Sequence, residues 1–124
     1  MNNVIMTRYS GIVEKGWGQE NIFVTNDLYC GKILTFHDSA KSSMHYHLDK
    51  HETWYCLSGE FVIHFINTHD ASQKSILFSE GDVWTNAQGL PHQLECIKGG
   101  DILEVSTPDS DEDNYRVLKG DSQK

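Results

Sequence analysis

Turn chemistry recurs along this chain too often to leave room for anything but short strands. Between Ile22 and Ser106, the breakers Asn26-Asp27, His37-Asp38-Ser39, Ser58-Gly59, Asn67 to Ser72, Glu80-Gly81-Asp82, Gln88-Gly89 and Gly99-Gly100 separate the apolar runs. Those runs are only about four to nine residues long. No window between them keeps apolar residues at i, i+3, i+4 and i+7, so the one helix candidate is a short piece at Asp109 to Asn114. The pattern is that of an all-β sandwich or small barrel. The Ser58-Gly59 turn is expected to join Glu52–Leu57 to Phe61–Asn67 as a hairpin. A two-residue turn would set Glu52, Trp54 and Cys56 against Phe61, Ile63 and Phe65, and turn His64 away from them.

A chain of 124 residues with 38% hydrophobic side chains can build a single core. The expectation is one domain over residues 1–119 and a polar tail at 120–124 that frays. No apolar run approaches the ~20 residues of a membrane span. Met1 to Tyr9 lacks the basic-then-apolar layout of a signal peptide, so a cytoplasmic protein with no membrane partner is expected. Cys30, Cys56 and Cys96 are odd in number and lie in strand-like surroundings, which suits buried thiols better than a disulfide framework. A formal charge of -8 argues against a nucleic-acid partner and leaves a small molecule as the expected ligand.

The segment "MHYHLDKHETWYCLSGE", Met44 to Glu60, concentrates metal-binding side chains. Successive strand residues alternate faces, so His45 and His47 point the same way. After a bend at Leu48 to Lys50, Glu52 opens the next strand and is expected to join them from its neighbour. Downstream, His92 follows a Gly and a Pro at the start of another apolar strand and offers a fourth ligand. Three neutral imidazoles and one carboxylate suit a divalent transition metal, Zn, Mn, Fe, Ni or Co, with positions left open for substrate or water. The competing reading for each residue alone is a solvated surface side chain. His51, His37 and His69 fit that reading, since His51 faces away from Glu52 and the other two sit in turns.

These residues resemble the cupin superfamily. His45-x-His47-x4-Glu52-x6-Gly59 has the spacing of its first motif, and Gly81 with Gly89-x2-His92 that of its second. The resemblance implies a double-stranded β-helix, or jelly-roll barrel, with the metal inside. Two turn positions depart from it: Ser39 stands where a Gly is usual and Ala87 where a Pro is usual. A finer resemblance runs from Lys15 to Arg116. "KGWG", "KILTF", "ETWYCLSG", "PHQLE", "LEVST" and "DEDNYR" are similar to segments of the type II phosphomannose isomerase family, including the isomerase domain fused to mannose-1-phosphate guanylyltransferases. Here Lys50 replaces that family's Arg before the metal Glu, and His45 replaces its Gln. The resemblance implies a sugar or sugar-phosphate substrate and, because cupin sheet edges are commonly covered by a partner, a homodimer in which the segment before Ile22 pairs across the interface.

Aldose–ketose isomerisation needs a polarised carbonyl and a base that moves a proton between C1 and C2. The candidate bases are Glu104 and Glu95, with Lys32 as a proton donor or anion contact. Glu104 is preferred, because strand parity turns Glu95 away from the side of His92. Arg116 is a candidate clamp for a phosphate or carboxylate, with Asp113 as the competing partner. Trp54 shares the face of Glu52 and is the aromatic placed to line the cavity; Trp17, Tyr46 and Trp84 are expected to pack the barrel. Two other function classes fit the same ligands: an Fe(II)-dependent oxygenase or other metal-dependent lyase, and a non-catalytic carbohydrate-binding module.

Overall fold

The structure, a computed structural model, describes residue 5 and residues 11–124. The strands are β1 (Gly11–Lys15), β2 (Gly18–Thr25), β3 (Cys30–Phe36), β4 (Met44–Tyr46), β5 (Glu52–Cys56), β6 (Glu60–Ile66), β7 (Gln73–Ser79), β8 (Val83–Asn86), β9 (His92–Lys98), β10 (Gly100–Ser106) and β11 (Tyr115–Leu118). They form two antiparallel sheets, one ordered β1-β2-β3-β10-β5-β8 and the other β11-β4-β9-β6-β7. The all-β jelly-roll expectation holds. The only helix among the described residues is a 3-10 turn at Asp121–Gln123, so none is long and apolar enough to cross a membrane.

Side-chain alternation explains both the core and the site. On β6, Phe61 and Ile63 are fully buried while Val62 and His64 face outward. Four other strands each carry a polar inward residue on the same face as apolar ones. Lys32 precedes Leu34 and Phe36 on β3, Glu52 precedes Trp54 and Cys56 on β5, and His92 precedes Leu94 and Cys96 on β9. On β10 the order is reversed, Ile102 before Glu104, because that strand runs antiparallel to β3 and β5. One end of the barrel is therefore an apolar plug around Phe36, Phe61, Ile63, Leu94 and Ile102. The other end is polar. Trp17 stacks on Phe36 within the plug (ring centroids 4.2 Å), Tyr46 stacks on Tyr115, and Trp84 packs against Phe65.

Several connections differ from the sequence reading. β5 and β6 are not a hairpin: β5 pairs with β10 and β8, whereas β6 pairs with β9 and β7. The Ser58-Gly59 turn is a corner that carries the chain from one sheet to the other. Gly59 turns it with φ 88°, where a Cβ would lie 2.7 Å from the Lys98 carbonyl oxygen. His64 still faces outward, but because of its own strand's alternation. Ser39 adopts φ 64°, the left-handed conformation that a glycine would take without steric penalty.

Asp109 to Asn114 forms turns rather than a helix, since Asp113 spends its carboxylate on the Leu48, Asp49 and Lys50 amides. The terminal segment is tied down. Asp121 exchanges hydrogen bonds with Lys41, and the Gly16 amide donates to the Ser122 hydroxyl. Of the segment before Ile22, β1 pairs with β2 of the same chain. Residues 1–4 and 6–10 lie outside the described residues. The three cysteines are free and buried.

Phe61 is fully buried and meets Phe36 edge-on at 5.4 Å. Phe61→Ala should lower unfolding stability by about 3–5 kcal/mol. Urea titration should show an earlier midpoint at unchanged slope.

Candidate metal centre

β4 and β9 lie side by side with His45 directly opposite His92. Residues opposed across an antiparallel ladder share a face, so the two imidazoles meet, their ring centroids 4.8 Å apart. His47, just past the end of β4, brings its ring to 5.1 Å from His45 and 5.6 Å from His92. Ligand atoms from the three rings all lie within 4.8 Å of one another. Glu52 reaches this cluster from the opposite sheet, not from a neighbouring strand. Its Oε1 lies 2.9 Å from His92 Nε2 and 4.0 Å from His47 Nε2.

The backbone sets which nitrogen each ring offers. Nδ1 of His45 lies 3.0 Å from the Ser43 carbonyl oxygen, Nδ1 of His47 2.6 Å from that of Asp113, and Nδ1 of His92 2.8 Å from that of Leu90. A carbonyl only accepts, so in the neutral rings Nδ1 carries the hydrogen and Nε2 presents a lone pair. Burial, helped by the neighbouring imidazoles, lowers the His45 pKa to about 3, and burial lowers that of His47 as well. Both rings are then neutral ligands at ordinary pH.

His92 Nε2 tests whether a cation fits. It is buried and has no hydrogen-bond partner, yet it faces Glu52 Oε1 at 2.9 Å. A lone pair opposite a carboxylate oxygen at that distance calls for a cation between them. Burial alone would raise the Glu52 carboxyl, but the Lys50 charge beside it helps to hold it well below the usual carboxylate range. Asn86 donates to Glu52 Oε1 at 3.0 Å and accepts from Trp84 Nε1 at 2.7 Å, which fixes the carboxylate's orientation. The donor set is consistent with a divalent transition metal, the cofactor class expected from the sequence.

Beside the imidazoles a cavity of about 170 Å³ opens to solvent, lined by His45, His47, Glu52, Trp54, Lys32, Lys50, Glu104 and Asp109 among others. Glu104 is opposite Trp54 on one side and Lys32 on the other, so the β5-β10-β3 ladder sets these three in one row. Its carboxylate accepts from Trp54 Nε1 at 2.9 Å and from Lys50 Nζ at 3.1 Å. Burial and the Glu52 charge push its pKa up to about 7, against the pull of Lys50 and Lys32. Lys50, only 6% exposed, also pairs with Glu52 at 3.1 Å and with Asp109 at 2.7 Å. These carboxylates outweigh its desolvation and raise its pKa. Lys32 pairs with Asp109 at 2.5 Å and Glu20 at 3.4 Å. Trp54 meets His92 edge-on at 5.4 Å and forms the wall between the imidazoles and Glu104.

The structure thus gathers His45, His47, Glu52, Trp54, Glu104 and Lys32 around one cavity, with His92 buried behind it against His45 and Glu52. It removes two other candidates. Glu95 faces outward and pairs with His64 at 2.8 Å, as strand parity dictates. Arg116 is exposed on the edge strand β11 and does not line the cavity; Asp113, its expected partner, caps the bend before Glu52 instead. His37, His51 and His69 are exposed. Sequence reasoning passed over Lys50, Asn86 and Asp109. Lys50 had one signal, its place where the isomerase-like segment carries Arg. Asn86 had another, a polar residue on the inward phase of β8.

Metal analysis after reconstitution should find about one transition-metal ion per chain. His92→Ala should reduce that to a small fraction, because it removes the fully buried Nε2 that faces Glu52 without a hydrogen-bond partner. Near-stoichiometric metal in the variant would overturn the assignment.

The cupin family model matches residues 18–122. No curated protein is close enough in sequence to serve as a relative. Among solved structures, the oxalate decarboxylase of Bacillus subtilis superposes with a TM-score of 0.79 at 18% identity, over 94% of this chain and 33% of that one. Another structure of that enzyme, described for its Mn(II) centres, gives 0.75 at 17% identity over 87% and 30%. The capsular polysaccharide assembling protein CapF of Staphylococcus aureus gives 0.76 at 18% identity over 91% and 33%. The chain spans about a third of the length of these neighbours, and at such identities the likeness is one of fold. The family match itself runs across both sheets and all three converging imidazoles, and with it the chain belongs to the cupin family.

Proposed function

We propose that the chain is a metal-dependent isomerase that moves a proton between adjacent carbons of a small polyoxygenated substrate, a sugar or sugar phosphate. The observation that carries this reading is Glu104, a buried carboxyl with a pKa near 7 on the wall of the cavity that His45 and His47 also line. His45, His47, His92 and Glu52 would hold the ion. When bound, a divalent metal there supplies Lewis-acid polarisation of a carbonyl oxygen.

The chain's own part is proton transfer and positioning. Glu104 is the base: its ionised form takes a proton from the hydroxyl-bearing carbon next to the polarised carbonyl and returns it to the carbonyl carbon, while the hydroxyl proton passes to the former carbonyl oxygen. A base with a pKa near the working pH can both accept and release that proton. Trp54 Nε1 and Lys50 Nζ each hold one of its oxygens, so the carboxylate keeps a single orientation. Trp54 also presents an aromatic wall on which a sugar face can pack. The sugar assignment within this reading rests on the resemblance of "ETWYCLSG", "PHQLE" and "LEVST" to phosphomannose isomerases.

In D2O, metal-loaded protein mixed with mannose 6-phosphate, fructose 6-phosphate or the free sugars should place deuterium at C1 or C2, read by proton NMR. Glu104→Gln should slow that exchange by about 10²–10⁴-fold with metal content unchanged. Exchange at the parental rate in the variant would remove Glu104 as base. Fe(II)-dependent oxygen uptake in place of exchange would move the chain to the oxygenases and lyases, and saturable sugar binding without turnover to the binding modules.

We also infer a homodimer. Leu77 is 70% and Val83 61% exposed, and with Ile76 they line one shallow depression where β7 meets β8, an apolar patch suited to burial against a second copy. Sedimentation equilibrium at micromolar concentration should return twice the chain mass; a monomer mass would refute the dimer.

A further inference from the structure

Lys32 and Lys50 are the cavity's buried cations, 7% and 6% exposed, and Asp109 bridges them with one carboxylate oxygen on each. Three other carboxylates surround the pair. Glu20, Glu52 and Glu104 all stand on strands, β2, β5 and β10, and cannot leave without breaking the barrel. Asp109 stands on an irregular segment and is the accessible member, its side chain 36% exposed. That segment is pinned at both ends. The Thr107 amide donates to the His51 carbonyl, and the Asp113 carboxylate accepts from Leu48, Asp49 and Lys50. Between the pins, among the described residues, the one backbone bond is the local turn from the Asp113 amide to the Ser110 carbonyl.

We propose that Lys32 and Lys50 form an oxyanion subsite beside the metal centre, and that Asp109 is its built-in occupant, displaced when the carboxylate or phosphate of a substrate arrives. The proposal rests on reading this cavity as the substrate site and specifies an anionic substrate for it. With Glu52 committed to the metal, Glu20 and Glu104 are the carboxylates left to the two ammonium groups, so an anion that displaces Asp109 replaces a charge that the pair still needs. An intramolecular occupant competes at a fixed high effective concentration, so it weakens every external oxyanion and excludes neutral ligands that cannot take over the charge.

The test uses the Zn(II)-loaded chain, with calorimetric titration of methylphosphonate and, separately, acetate at constant ionic strength. Asp109→Asn should bind at least one of them about tenfold more tightly than the parent. Adding Lys32→Gln to Asp109→Asn should abolish the gain. The better-bound probe identifies phosphate or carboxylate as the preferred group. Equal affinities in parent and Asp109→Asn would overturn the proposal, and so would a gain that survives Lys32→Gln, which would mean binding at the metal. Should Asp109→Asn fail to fold, the parent decides: methylphosphonate should shift the Asp109 carboxyl carbon resonance, and saturation without a shift would refute displacement. Because affinity is read without turnover, tighter anion binding in a protein that isomerises no sugar would keep the subsite and discard the sugar reading.

Discussion

Ionised groups can be buried at one end of an apolar barrel only if each is matched by an opposite charge, a dipole or an ion. That requirement organises this molecule. Lys50 faces three carboxylates, Glu104 leans on Lys50 and the Trp54 ring N–H, and each imidazole spends one nitrogen on a backbone carbonyl. The buried His92 Nε2 beside Glu52 has no such match, and the three imidazoles with Glu52 offer a divalent metal the place that completes the set. The apolar plug at the other end supplies the burial that keeps these groups fixed.

The division between plug and site follows from strand phase. Each contributing strand has a single inward face, and its polar residue stands at the end nearest the cavity, so one alternation rule serves both core and chemistry. The loops then refine position. The Gly89 amide donates to the His47 carbonyl at 2.7 Å, which ties the approach to His92 to the strand that carries the other two imidazoles. Asp113 ties the acidic segment before β11 to the bend before Glu52.

How much of this was legible in the sequence depends on whether a feature is local. The breakers and the period-two pattern specify strands, and the pairing of His45 with His47 follows from spacing alone. That Glu95 faces away from His92 followed from parity. The sheet assignment did not follow: Ser58-Gly59 signals that the chain turns, but not that it crosses to the other sheet, because the choice depends on strands β9 and β10 far along the sequence. Lys50 and Asp109 were missed for the same reason. Fifty-nine positions apart, a lysine in a bend and an aspartate in a loop each read as solvated until tertiary structure brings them within 2.7 Å. Arg116 misled in the opposite sense, since a residue opposite His45 in the ladder still leans to solvent when its strand is the sheet edge.

The imidazoles come from one sheet and Glu52 from the other, so the metal site straddles the seam between the two layers. An ion held by all four side chains would join both sheets at the polar end of the barrel, opposite the apolar plug. Its binding free energy would then count toward holding the two layers together, so metal supply would enter the stability of the fold as well as its chemistry.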